Sequence, residues 1–71
     1  MKTYDVVFND DNDSNSKGFK ETIDYCMNWI EFNRNNKSTY FGDYKGGSVS
    51  VVCNETCEVI YEETIEWYAN R

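Results

Sequence analysis

Residues 48–65 have the sequence SVSVVCNETCEVIYEETI and decide the fold, because two strand-forming runs lie on either side of a short polar turn. The runs, residues 48–53 and 58–65, are rich in the β-branched and aromatic residues that strands favour. Residues 54–57 are typical of a type I turn that ends on a left-handed residue, with Cys57 where glycine is more usual. The stretch predicts an antiparallel hairpin.

The two-residue alternation of a strand assigns the side chains of this hairpin to two faces. The predicted core face carries four of them, Val49, Val51, Val59 and Tyr61. The opposite face carries Glu58, Ile60 and Glu62.

Upstream of the hairpin, residues 38–44 predict another strand, joined to it by a turn at 45–47 whose paired glycines adopt positive φ at little cost. A helix is predicted from Lys17 or Gly18 to Asn33, with Ser16 or Gly18 as its N-cap. Its apolar stripe consists of Phe19, Ile23, Cys26 and Ile30, at helical spacing.

The first strand is predicted at residues 2–8, and residues 9–16, all Asn, Asp and Ser, predict a solvated loop. The buried face of that strand carries Tyr4, Val6 and Phe8. The expected fold is therefore α+β, one domain over residues 1–71, with a single helix packed on a mainly antiparallel sheet of about four strands. The predicted order is β-α-β-β-β.

Negative charge is concentrated at the two ends of the chain, which has 13 acidic and 7 basic side chains and a net charge of −6. Residues 1–17 contain two lysines against four aspartates, and residues 54–71 contain five glutamates against one arginine. Such a surface repels phosphate backbones, so direct nucleic-acid binding is not expected. It attracts basic surfaces on other proteins.

The chain has three cysteines and no apolar run long enough to span a membrane, so we expect a cytoplasmic protein with free thiols. Cys26 is expected to be a small core residue. Glu55 and Glu58 are expected to disfavour the thiolates of Cys53 and Cys57.

Residue types that carry catalysis are missing from the sequence. There is no histidine, and Gly46-Gly47 lacks the following helix and Lys-Ser/Thr of a phosphate-binding loop. Neither an enzymatic activity nor a cofactor is therefore expected.

A calcium loop is the least favoured alternative. Counting from Asp10, Asn12 and Ser14 take the third and fifth positions and Glu21 the twelfth, but Asn15 occupies the position of the required glycine. A polar surface loop explains these residues more simply, and no metal site is assigned.

Two sets of side chains are candidates for binding a protein partner. The acidic set consists of Glu58, Glu62, Glu63 and Glu66, followed by Asp10, Asp11 and Asp13. The aromatic set, Tyr25, Trp29 and Phe32, lies about 100° around the helix from the apolar stripe. It is either part of a wide core face or an apolar anchor for a partner.

The size, the acidity, the Asn/Asp/Lys/Tyr-rich composition and the hairpin of residues 44–56 resemble small proteins encoded by phages and mobile elements. Among these, the chain is most similar in character to anti-CRISPR inhibitors. The resemblance implies a non-enzymatic inhibitor in a bacterial host cell that blocks the nucleic-acid site of a Cas effector, acting as a DNA mimic.

The sequence thus favours an inhibitor that docks acidic side chains into a basic nucleic-acid-binding site. The alternative is a small regulatory module that binds through the helix aromatic face or a sheet edge, with the acidity serving only solubility.

Overall fold

The computed structural model describes residues 2–34, 41, 44 and 46–65. Four strands form one antiparallel sheet in the order β2-β1-β3-β4. The strands are β1 (Tyr4–Asn9), β2 (Ser14–Ser16), β3 (Ser48–Cys53) and β4 (Val59–Thr64). The helix α1 (Ile23–Asn33) packs on one face of this sheet. The predicted class, a single helix on an antiparallel sheet of four strands, is confirmed.

The helix begins later than the sequence predicted, at Thr22, whose hydroxyl accepts a hydrogen bond from the Tyr25 amide at 3.1 Å. Neither Ser16 nor Gly18 is the N-cap. The preceding residues follow β1 instead, since the Lys17 amide donates to the Val6 carbonyl and Glu21 exchanges backbone hydrogen bonds with Tyr4. Gly18, with φ of +81°, is left-handed and therefore incompatible with a helix.

The predicted loop at 9–16 contains a short edge strand, β2, which pairs with β1 between Val7 and Asn9. Its three side chains are exposed, and it is held by backbone pairing with β1 together with one side-chain hydrogen bond, from Asn15 Nδ2 to the Tyr44 hydroxyl at 2.9 Å. Propensity gave no signal for it, since an edge strand without a buried face needs no apolar residues.

Of the predicted strand 38–44, Phe41 and Tyr44 are described and the other five positions lie outside the described residues. Phe41 is helical and Tyr44 lies in a turn, so neither belongs to a strand. Both are buried in the core. Among the described residues the order is β-β-α-β-β, because β2 supplies the fourth strand in place of the predicted one.

The core lies between α1 and the sheet, with Phe8 at its centre. The Phe8 ring contacts Phe41 edge-on, with centroids 5.1 Å apart, and approaches Tyr44 and Trp29 at 5.8 and 6.0 Å. Cys26 and Ile30 of the predicted stripe are fully buried, whereas Phe19 and Ile23 are partly exposed. The remaining fully buried sheet residues include Val6, Val49 and Val51.

A β-bulge between β3 and β4 changes the face of the sheet on which the first residues of β4 lie. Val51 pairs with Tyr61 and Val52 pairs with Val59, which leaves Ile60 as the extra residue. Tyr61 lies on the core face as predicted, but Val59 shares the opposite face with Val52 and is 55% exposed. The strict two-residue alternation assumed for Val59 fails because the bulge shifts it by one residue.

Each turn has one residue with the predicted positive φ, but of the paired glycines only Gly46 has it and Gly47 does not. Cys57 is left-handed, with φ of +65°, and Gly46 has φ of +91°. Gly47 is glycine for a different reason, because a Cβ placed there would lie 2.0 Å from the Asn9 carbonyl oxygen. This close approach holds the end of β1 against the turn that precedes β3.

Candidate partner-binding surface

The sheet face opposite α1, here called the open face, carries Glu62 on its edge strand, β4. The β1–β3 and β3–β4 registers place Val7, Ser50 and Glu62 in one row across three strands. The Ser48 and Ser50 hydroxyls approach Glu62 Oε2 at 3.3 and 3.4 Å, as donors. Glu62 is exposed, and within the described part of the chain it has no ion pair.

Glu63 points to the other face, beside α1. The Arg34 guanidinium binds it through two hydrogen bonds, from Nε at 3.0 Å and from Nη2 at 2.8 Å, and the Tyr61 hydroxyl donates to the same carboxylate. This fork joins the end of α1 to β4 and satisfies the carboxylate inside the molecule. Glu63 is therefore a structural residue in this conformation rather than a free acidic contact.

Glu58 and Glu62 do not share a face, contrary to the sequence prediction. The bulge at Ile60 puts Val59 beside Glu62 on the open face, and the Glu58 carbonyl accepts the Cys53 amide at 2.9 Å just before β4 begins. Glu58 is exposed at that end of the hairpin. Glu66 lies outside the described residues. The four glutamates are therefore not one continuous array.

The acidic turn between β1 and β2 is held by its own carboxylates. Asp10 Oδ1 accepts the amides of Asn12 and Asp13 at 2.8 and 2.7 Å, and Asp13 accepts from the Ser14 amide and from the Tyr44 hydroxyl. Asp11 is exposed and makes none of these bonds. Asp10 and Asp13 thus shape the turn, while Asp11 projects free charge from it.

The acidic turn and Glu62 border the same part of the surface. A shallow depression of about 310 Å³ is lined by Asn9, Asp10, Asp11, Gly46, Gly47, Ser48 and Thr64. Thr64 lies two residues beyond Glu62 on the open face, a separation of about 7 Å. We call Asp10, Asp11 and Glu62 the acidic rim, because the two aspartates line the depression and the Glu62 carboxylate contacts the lining residue Ser48.

The ligand set of the calcium alternative is not brought together. Asp10 follows one end of β1 and Glu21 pairs with Tyr4 at the other end, five residues away or about 17 Å. The residues between them form a hairpin strand and not a calcium loop. Across residues 2–34, 41, 44 and 46–65, no three cysteine or acidic side chains are grouped to hold a metal ion.

The aromatic set on α1 is divided between core and solvent. Trp29 packs against Phe8, Phe19 and Phe41, and the Lys17 ammonium lies 5.5 Å from its ring centroid. Tyr25 is 45% exposed and Phe32 is 87% exposed. The set is therefore not one continuous apolar face, and Phe32 is its free member.

Residues that the sequence analysis did not single out hold the structure together. Asp5 is buried on the open face and accepts three backbone amides, from Val6, Gly18 and Phe19. The sequence did contain a signal for this role, because Asp5 is a charged residue between Tyr4 and Val6 in an otherwise apolar strand. Arg34 had no such signal, since its partner is 29 residues away.

The three cysteines are free, and Cys26 is buried, as predicted. Burial, with Asp5 and Glu21 nearby, raises the pKa of Cys26 to about 11. The Thr56 hydroxyl lowers the pKa of Cys53 by hydrogen bonding, and this outweighs burial and the opposing charge of Glu55. The Glu55 charge disfavours the Cys53 thiolate as predicted, but the hydrogen bonds from Thr56 give the pKa its net direction.

Glu55 ties the β3–β4 turn to the start of the chain, because its carboxylate accepts the Thr3 amide at 2.9 Å and the Thr3 hydroxyl at 3.3 Å. The Thr3 amide is the main cause that lowers the pKa of Glu55 below its ordinary value of 4.5. Because the pKa of Glu55 is lower in the folded state than in the unfolded state, its ionised carboxylate stabilises the fold in full above pH 4.5. That stabilisation is lost as the pH falls through the folded-state pKa.

We expect the Glu55→Gln variant to melt at a lower temperature than the wild type at pH 7, with the difference shrinking as the pH is lowered from 4.5 towards 3. Thermal unfolding of both proteins between pH 3 and 7 measures this. A difference that stays constant across the range would show that the Glu55 charge has no role.

Comparisons with protein-family models, with curated proteins and with solved structures found no match to the chain. No helix in the described residues has the length and apolar character needed to cross a membrane.

Proposed function

We propose that the chain is a non-enzymatic inhibitor that binds another protein and covers that protein's basic nucleic-acid-binding site. The acidic rim is the contact surface. The observation that carries the proposal is an exposed depression lined by Asp10 and Asp11, beside Glu62, whose carboxylate accepts a hydrogen bond from the lining residue Ser48 at 3.3 Å. Carboxylates and hydroxyls together provide acceptors for the lysine and arginine side chains that line nucleic-acid sites.

The electrostatic arrangement of the sheet supports this assignment. Glu63, the one glutamate of β4 on the helix-covered face, is neutralised by Arg34, while Glu62 on the open face keeps its charge. The net charge of −6 then steers the protein towards a basic partner and speeds association. In this proposal Glu58 adds charge outside the rim, Glu66 is a further acidic contact, and Asp13 supports the turn.

The class of partner follows from the resemblance to anti-CRISPR proteins. We propose a Cas effector nuclease, or a similar nucleic-acid enzyme, in the cytoplasm of a bacterial cell. Its nucleic-acid channel must be basic to hold phosphates, and it therefore binds an acidic protein that competes with the nucleic acid.

A second candidate function is a regulatory module that binds through α1. The exposed ring of Phe32, beside the half-exposed Tyr25, is the observation in its favour. Binding of this kind depends little on salt, because it buries apolar area rather than pairing charges.

The test is capture of partners from lysates of bacteria with active CRISPR systems, followed by mass spectrometry. The tagged wild type is compared with Asp11→Lys/Glu62→Lys, which reverses two rim charges that hold no turn together. The control is Glu21→Lys/Glu31→Lys, which makes the same change in net charge at exposed positions outside the rim.

We expect a nucleic-acid enzyme to be captured by the wild type and the control, with affinity about tenfold or more lower for the rim variant at low salt. If both double variants lost the enzyme equally, net charge alone would explain its binding and the acidic rim would have no specific role. Loss in Phe32→Ala alone would favour the regulatory module, and capture of no nucleic-acid enzyme would contradict the inhibitor.

A further inference from the structure

The outer edge of β4 is open in the described part of the chain. β4 is the last strand in the sheet order and pairs with β3 on one side only. Val59 and Ile60 on this strand are 55% and 41% exposed. An edge strand with free backbone groups and exposed apolar side chains is a template for adding another strand.

The hydrogen bonds of the neighbouring turn show which amides face outward. The Ile65 amide donates to the Gly47 carbonyl at 2.8 Å, and the Gly46 amide donates to the Ile65 carbonyl at 2.7 Å. The backbone amide and carbonyl of Ile65 therefore point towards the β3 side. Because this direction alternates along an antiparallel strand, the backbone amide and carbonyl of Glu63 point the same way. The amides and carbonyls of Glu62 and Thr64 then point away from the sheet and are available to another strand.

The side chains at this edge specify the charge of the added strand. On the open face, Glu62 offers a carboxylate without a cationic partner among the described residues. On the other face, Arg34 already neutralises Glu63 beside the Tyr61 ring. A complementary strand therefore has basic side chains on the open face and apolar ones on the helix side.

We propose that β4 binds an extended basic segment of the partner protein as a fifth strand, an inference that rests on the proposed function and names how the partner is held. Main-chain hydrogen bonds to Glu62 and Thr64 supply affinity, and pairing of a lysine or arginine with Glu62 supplies specificity. A second copy of the chain does not fit this edge, because it would bring Glu62 next to further carboxylates of the same strand in a molecule of net charge −6.

The probe is a blocked peptide of seven residues in which lysine and valine alternate, titrated into the ¹⁵N-labelled protein. The matched control peptide has glutamate in place of lysine. Amide hydrogen exchange, followed by NMR, reports the outward amides of Glu62 and Thr64 separately from the inward amide of Glu63.

We expect the lysine peptide to slow exchange at Glu62 and Thr64 by tenfold or more, with little change at Glu63, and the glutamate peptide to have no effect. Thr64→Pro removes one outward donor and no bond to β3, and proline is tolerated at such edge positions. It is expected to weaken peptide binding about tenfold with the fold intact. Glu62→Gln is expected to weaken binding while leaving both outward amides in place.

Failure of the lysine peptide to protect Glu62 and Thr64 would overturn the proposal, as would protection confined to α1 or self-association through β4. The two proposals are separable. A nucleic-acid enzyme captured equally by Thr64→Pro and wild type, yet lost with Asp11→Lys/Glu62→Lys, would overturn the added strand and leave the inhibitor standing. If the lysine peptide pairs with β4 but no nucleic-acid enzyme is captured, the inhibitor is overturned and the added strand stands.

Discussion

Phe8→Ala is expected to destabilise the fold by about 3–5 kcal/mol, the range for removing a fully buried aromatic side chain. Phe8 is 0% exposed, and its ring contacts three other aromatic rings from two parts of the chain. A chain of 71 residues has a total stability of roughly 4–10 kcal/mol. Most of the folded population is therefore expected to be lost, measured by urea unfolding followed by circular dichroism.

The matched control is Phe32→Ala, the same chemical change at a position that is 87% exposed. It is expected to alter stability by less than about 0.5 kcal/mol. Comparable losses at the two positions would contradict a core centred on Phe8.

Asp5→Ala is expected to cost about 3 kcal/mol, because it removes a charged acceptor of three backbone hydrogen bonds. The lengths are 2.7 Å from Val6, 2.8 Å from Phe19 and 3.1 Å from Gly18, and Asp5 itself is 6% exposed. Without the carboxylate these amides lose their acceptor, and water cannot replace it at the Val6 amide, because Val6 is fully buried. The segment that leads from β2 to α1 is then expected to detach first.

Asp5→Asn is the control that keeps one acceptor oxygen. Oδ1 receives the Val6 and Phe19 bonds, so asparagine retains those two and loses the charge and the Gly18 bond. Its stability is expected to lie between those of the wild type and Asp5→Ala, with early loss of exchange protection at Gly18. Equal stability of wild type and Asp5→Ala would contradict an anchoring role for Asp5.

The parts of the fold that the sequence predicted are those in which local pattern and local geometry agree. The hairpin from Ser48 onward was predictable because alternating valines and a left-handed turn residue both occur within a few positions. The buried stripe of α1 at Cys26 and Ile30 followed from helical spacing in the same way.

The parts that differ depend on tertiary contacts that a local pattern does not contain. β2 exists because its backbone pairs with β1, not because of its serines. The helix is capped only at Thr22 because Asp5, a residue 17 positions earlier, accepts the amides of Gly18 and Phe19 and holds them outside the helix. The bulge at Ile60 moved Val59 to the open face without any glycine to mark it.

The same distinction applies to the candidate site. Charge concentrated at the ends of the chain was visible in the sequence, and the sheet places Asp10 and Asp11 in one depression whose lining residue Ser48 contacts Glu62. That Glu63 is bound by Arg34 was not predictable, since the pair depends on how α1 lies against β4. The surface proposed here is therefore smaller than the acidic set that the sequence indicated.

The central claim, that the acidic rim competes with nucleic acid for a basic site, is tested most directly by displacement. Fluorescence anisotropy of a labelled nucleic acid bound to the captured enzyme is measured while this protein is added. We expect the anisotropy to fall to the value of the free nucleic acid with the wild type and with Glu21→Lys/Glu31→Lys, but not with Asp11→Lys/Glu62→Lys. Anisotropy that stays at the bound value while the wild-type protein is itself bound to the enzyme would contradict the claim.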